Sequence, residues 1–162
     1  MLFHLVPRCV EVCVVALVAA LTAPIAAAES EGTFSQVNVL PRYRQECATC
    51  HLAYPPGMLP AASWQRILDN LQHHFGTDAS LDADSVRQIS TWLAANSAGD
   101  AAAHALPPED RITRSHWFRQ EHAEVPAAVW KRPMIKSASN CAACHTRADQ
   151  GNFNEHFIRI PQ

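Results

Sequence analysis

Two short groups hold the side chains best suited to chemistry: Cys47, Cys50 and His51 in "CATCH", and Cys141, Cys144 and His145 in "CAACH". Cys-x-x-Cys-His is the spacing at which two thiols add to the vinyl groups of a haem while the adjacent histidine reaches its iron. On a helical turn, cysteines three apart share a face, and the following histidine is directed at the ring they hold. Other chemistries fit these residues less well. A zinc ribbon spaces its cysteine pairs by roughly 15 to 20 residues, whereas 90 residues separate these two, and both trailing histidines would be coincidence. A thiol oxidoreductase wants its Cys-x-x-Cys beside a βαβ pattern, and none is visible. The reading is two covalently bound haem c groups, with His51 and His145 as proximal iron ligands.

The far side of each iron decides what such a protein does. A strong sixth ligand closes the site for electron transfer, and an open position admits oxygen, nitric oxide or peroxide. Beyond residue 28 six further histidines compete: His73, His74, His104, His116, His122 and His156. Counting about 100° per residue from Trp64, His73 falls at about 180°, opposite the apolar stripe, and His74 at about 280°, beside Ile67. His74 therefore faces the pocket, and His73 suits the surface. His122 follows Phe118 by four residues and shares its face. His116 lies on another side, His104 in a linker and His156 in a tail. Methionine is the alternative ligand, but Met58 sits between Pro56 and Pro60, where the chain would need an awkward return, and both Met58 and Met134 read as packing. Bis-histidine coordination at low potential is the expectation, with His51, His74, His145 and His122 as the iron ligands. Trp64, Trp92, Trp117 and Trp130 read as packing.

Helices must position these groups. After "CATCH", "LAYPPGMLP" is a loop, because Pro55, Pro56 and Pro60 lack an amide donor and resist helix. In "SWQRILDNLQHHFG" the apolar residues Trp64, Ile67, Leu68, Leu71 and Phe75 recur on one face, with Ser63 as cap and Gly76 as stop. A second helix is predicted from Asp82 to Asn96, capped by Ser80, with Asp82 and Asp84 in its first turn and Val86, Ile89 and Leu93 as the buried stripe. No strand is comparably clear. Further on, "SHWFRQEHAE" predicts a short helix ended by Pro126, and "SNCAACHTRADQG" another, capped by Ser139 and stopped by Gly151. "PAAVWKRPMIKSA" and "NFNEHFIRIPQ" read as irregular chain wrapped around something. The linker "AANSAGDAAAHALPP", residues 94 to 108, separates the two groups. The fold class is mainly α: two small haem domains, at 29–100 and 101–162, the second short and irregular.

Composition sets the outer bounds. With 48% hydrophobic and 17% charged residues among 162, the chain belongs with ordinary folded proteins and not with disordered tails. Residues 1–28 form a different object: Arg8, then an apolar run from Val12 to Ala28 broken by Thr22 and Pro24, closing on Ala26, Ala27 and Ala28. That is the order of an export signal with a cut after Ala28. A membrane anchor is the alternative, although the run is slightly short of the about 20 apolar residues that a spanning helix needs. Removal leaves 134 residues, for which two apolar macrocycles supply core that short helices lack. It also removes Cys9 and Cys13, so no cysteine is left over for a conventional disulfide. A periplasmic location with no stable membrane insertion after signal removal follows, consistent with assembly of haem c outside the bacterial cytoplasm. Residues 29–100 carry 4 Lys+Arg against 8 Asp+Glu, and residues 101–162 carry 8 against 6. Such asymmetry can orient a charged partner, and the lack of a dense basic stripe argues against nucleic acid.

"ECATCHLAYPPGMLPAASW", "LQHHFGTDASLD", "DRITRSHWFRQEHAEVP" and "SNCAACHTRADQGNFNE" together resemble the bacterial dihaem cytochrome c family, DHC, over roughly residues 41 to 161. The resemblance implies a periplasmic electron carrier, not an enzyme, with an N-terminal domain like a class I cytochrome c and a smaller C-terminal haem domain. It implies as partners a small oxygen-binding monohaem cytochrome c as acceptor and a membrane cytochrome b as donor. His74 of "HFG" and His122 of "EHAEVP" match the distal positions of the family, without fixing which of them serves which iron. The doubled "HHFG" departs from the pattern and leaves His73 as a substitute. A haem enzyme or gas binder with one open iron is the competing class. Dihaem peroxidases are considerably longer, and no loop here offers a distal arginine and acid pair.

Overall fold

In the first helix, α1 (Pro41–Cys47), proline occupies the first turn, where its missing N–H would be unpaired anyway. The helix ends on Cys47, so Cys50 and His51 follow in the turn that leaves it. The computed structural model describes residues 37–99 and 106–162, all within one compact unit. The expected export segment, His104 and the middle of the linker lie outside the described residues.

Helix α2 (Ala61–Leu68) is shorter than the periodicity predicted, and Ser63 does not cap it. Ser63 lies buried inside the helix, and its hydroxyl accepts from Arg66. Asp69 and Asn70 end the helix: Asn70 adopts φ −135°, its side-chain oxygen accepts from His73 Nδ1, and a 3-10 turn, Leu71–His73, follows. Short polar side chains that bond locally compete with helix in this way. Phe75 (φ +50°) and Gly76 (φ +98°) then reverse the chain in the left-handed region. Gly76 is therefore a turn residue, and Phe75 is 45% exposed instead of completing the buried stripe.

Helix α3 (Ala83–Asn96) is capped by Asp82, not Ser80. Asp82 Oδ1 accepts from the amides of Asp84 and Ser85 at 2.9 Å each, and Oδ2 accepts from Ser85 Oγ at 2.6 Å. The Ser80 amide is instead turned to Asp78. Ile89 and Leu93 are fully buried and Val86 packs beside them, as the stripe predicted. They meet Trp64 and Leu68 of α2, Leu71, Leu59, and Tyr43 of α1 in one core. Each fully buried aliphatic side chain there contributes about 1.5–3 kcal/mol.

The second half is built from shorter pieces. Ser115 Oγ accepts from the Phe118 amide and caps α4 (His116–Glu121), which ends at His122, before Pro126 is reached. Pro126 instead precedes α5 (Ala127–Trp130), inside a stretch the sequence left irregular. "CAACH" forms no α-helix and Ser139 caps none. Residues Cys141–Ala143 and Ala148–Gln150 are 3-10 turns, the second ending on left-handed Gly151. The tail takes over the hydrogen bonds a helix would have used: Thr146 N donates to Phe157 O and Arg159 N donates to Cys144 O. Only isolated bridges of this kind, and no strands, occur among the described residues. The fold is helical.

The halves meet through side chains. Arg66 forks onto Asp110, Nε to Oδ2 at 2.9 Å and a terminal nitrogen to Oδ1 at 2.5 Å. Trp117 Nε1 donates to Met58 O and Tyr54 OH to Ser139 O.

Candidate metal centres

His51 leaves the turn after α1 and donates from Nδ1 to the Leu52 carbonyl at 2.6 Å. A carbonyl only accepts, so the proton sits on Nδ1 and the lone pair on Nε2, the tautomer a metal needs. The reversal at Phe75–Gly76 brings His74 opposite. The two rings lie 6.1 Å apart between centroids, with planes 19° from parallel. Two imidazoles bound to one metal at about 2 Å through Nε2 would place their centroids about 6 Å apart, so the gap has the width of a shared iron.

The second group repeats the arrangement. His122, just past the end of α4, donates from Nδ1 to the Phe118 carbonyl at 2.8 Å, which again leaves the lone pair on Nε2. Its ring stands 6.1 Å from that of His145, with planes 71° apart. Phe118 stacks on His122 at 4.1 Å, Trp130 lies at 5.7 Å, and Phe153 packs 5.2 Å from His145.

Each pair thus has one ring anchored to the backbone. The other is not anchored: Nδ1 of His74 and Nδ1 of His145 are buried without a hydrogen-bond partner. Buried polar atoms are rarely left so; a metal between the rings would take Nε2 and leave these Nδ1 atoms as they are, so the fit rests on the two ring gaps. Burial, and then the facing histidine, holds His74 and His145 below the ordinary imidazole pKa. Both are therefore neutral, the form that binds metal. The residues present fit a haem iron at each pair.

The four cysteines of the two groups, Cys47, Cys50, Cys141 and Cys144, are free thiols. None is in a disulfide. Burial pushes Cys47 up to about 11 and raises Cys141 and Cys144. A thiol held protonated is poorly suited to thiolate chemistry or zinc. Among the described residues no three His, Cys, Asp or Glu side chains converge to hold a bare metal ion.

The remaining candidates lie elsewhere. His73 is exposed and bonded to Asn70, and His116 and His156 are exposed. Met58 is buried in the packing, and Met134 is 67% exposed. Tyr54 was not among the residues marked by motif or periodicity, and its ring stacks on His51 at 4.9 Å. Its position three residues after the histidine was the available signal. A hollow beside His74 is walled by Ile67, Asn70 and Phe75, and one beside His122 by Phe118, Trp130 and Ala138.

The dihaem cytochrome c family profile, DHC, matches residues 43–153. The X-ray structure of the diheme cytochrome type c from Shewanella baltica OS155 is 35% identical, with a TM-score of 0.66, over 75% of this chain and 92% of that one. A crystal structure of DHC purified from Rhodobacter sphaeroides is 43% identical, with a TM-score of 0.63, over 72% of this chain and 99% of that one. A second diheme cytochrome c structure from Rhodobacter sphaeroides is 42% identical, with a TM-score of 0.65, over 74% and 100%. No curated protein matches the chain. A family match that spans both Cys-x-x-Cys-His groups agrees with two histidine pairs spaced for iron, so this chain belongs to the dihaem cytochrome c family and carries two haem c groups.

Proposed function

We propose that the protein is a periplasmic electron carrier, not an enzyme, in which each iron is closed by two imidazoles. Cys47 and Cys50 attach the haem held between His51 and His74. Cys141 and Cys144 attach the haem held between His145 and His122. Bound haem c would supply reversible one-electron chemistry, at low potential when histidines alone hold the iron. Around it the chain does four things: it fixes the histidine tautomers through Leu52 O and Phe118 O, keeps His74 and His145 neutral, shields the second pair with Phe118 and Trp130, and leaves no sixth position for substrate. The observation that carries this reading is the pair of 6.1 Å imidazole gaps.

Electrons would enter from a membrane quinol or cytochrome b donor and leave to a soluble haem protein, a small oxygen-binding monohaem cytochrome c. The opposite charge balance of the two halves supports oriented docking of such partners. Export with cleavage after Ala28 fits this location, and no helix among the described residues is long and apolar enough to cross a membrane.

Electron paramagnetic resonance of the oxidised protein, with both haems attached, tests the reading. Two low-spin signals are expected, of different anisotropy because one pair of rings is near-parallel and the other is not. A substantial high-spin signal in intact protein would instead mean an open iron and favour a gas binder or haem enzyme. For the partner, the reduced protein should reduce a small oxygen-binding monohaem cytochrome c on mixing. Failure to exchange electrons would remove that acceptor from the proposal.

A further inference from the structure

Tyr54 joins the first attachment group to the loop that leads into the second. Its ring lies 4.9 Å from that of His51, with planes 22° apart. Its hydroxyl donates at 2.9 Å to the carbonyl of Ser139, 85 residues along the chain. The same carbonyl faces Cys141 Sγ at 3.6 Å. The backbone of Tyr54 is itself held, because Tyr43 OH, in the buried part of α1, donates to Tyr54 O at 2.7 Å.

An imidazole bound through Nε2 can still turn about its bond to the metal, and the groups that touch its Nδ1–H and its faces decide its plane. For His122 those groups are local: Phe118 supplies both the carbonyl at Nδ1 and the ring on its face. His51 also has a local carbonyl, but the ring on its face belongs to a residue tied to the other attachment loop. The rings of Tyr54, His51 and His74 form a nearly parallel series, with successive planes 22° and 19° apart.

We propose that Tyr54 is the positioning residue that couples the two centres: its ring sets the plane of the His51 imidazole, and its hydroxyl fixes that plane to the Ser139 loop. This rests on His51 and His74 being ligands of one iron. Through this link the first centre senses the geometry of the second attachment loop. The relative plane of two axial imidazoles governs the splitting of the iron d orbitals, so the coupling is visible in the low-spin spectrum.

The test is a double-mutant cycle on the oxidised protein with both haems attached, read by electron paramagnetic resonance. Y54F keeps the stacked ring and the fold but removes the hydroxyl, and S139G loosens the loop by removing the hydroxyl contact to Ser137. Both single variants should shift the signal of the His51–His74 centre. In the Y54F background, S139G should then produce no further shift. Y54L, which also loses the stack, should shift that signal more than Y54F. If Y54F leaves both signals in place, or S139G shifts the first signal equally with and without the Tyr54 hydroxyl, the coupling is refuted while the ligand pairing stands. A high-spin signal in the unmutated protein would overturn the pairing itself, and this inference with it.

Discussion

His73 and His74 are neighbours with opposite situations. His73 ends the 3-10 turn pointing outward and bonds Asn70, whereas His74 turns its ring toward His51 and buries Nδ1. The helical-phase reading chose His74 over His73 by extending a helix that in fact stops at Leu68. The same side of the chain is reached because the 3-10 turn and the reversal at Phe75 carry the ring back over the core. Removing a ligand is expected to leave one iron five-coordinate. His74→Ala should convert one of the two irons to high-spin, His122→Ala should convert the other, and His73→Ala should leave both low-spin. Absorption and paramagnetic resonance spectra of the three variants check this. Conversion of a low-spin iron by His73→Ala would reassign the first distal ligand.

At the scale of elements, α3 was legible because fourteen residues repeat one amphipathic period, and Ile89 and Leu93 fall where that period places them. Its cap was not legible between Ser80 and Asp82, since both are good caps, and the choice follows from Asp82 reaching two amides and a hydroxyl. Ile89→Ala should cost about 2–5 kcal/mol, because the site is fully enclosed and a cavity remains. Asp82→Ala should cost about 1 kcal/mol. Denaturant unfolding of the two variants against the parent should give this order, and equal losses would contradict the packing described. The "CAACH" segment shows the converse. Its residues favour a helical turn, but pairing with Phe157 and Arg159 takes the amide of Thr146 and the carbonyl of Cys144. That competition comes from residues more than ten positions away and leaves no mark in the local pattern.

At the scale of the whole molecule, the apolar core gathers in residues 43–93, while the second half buries few large apolar side chains, chiefly Phe118, Val129 and Ile135. The second half therefore depends more on its haem. Replacing Cys141 and Cys144 with serine should make limited proteolysis cut residues 106–162 first, while residues 37–99 with their haem persist. Equal resistance of both segments would count against this. The Arg66–Asp110 fork ties the halves together. The Arg66 guanidinium holds the Asp110 carboxyl below the usual carboxylate range, by hydrogen bonding first, against the opposing effect of burial. A carboxylate with a lowered folded-state pKa adds stability above its unfolded pKa and loses it as pH falls through the folded value. With Arg66 largely exposed, the contribution is about 0.2–1 kcal/mol. Asp110→Asn should lower stability by that amount at neutral pH, and the deficit should vanish in acid. A deficit that is independent of pH would assign the effect to packing.

The chemistry is written locally, because Cys-x-x-Cys-His is a five-residue device: its spacing suits two thiols and an imidazole to one haem, and helical periodicity alone marks α3. Which histidine stands opposite which depends on how segments far apart in the chain come together. His74 meets His51 through a left-handed turn at Phe75 and Gly76, His122 meets His145 across 23 residues, and Tyr54 reaches Ser139 across 85. Such distances depend on how separate segments pack, and packing is a sum of nonlocal contacts that no short stretch of residues encodes.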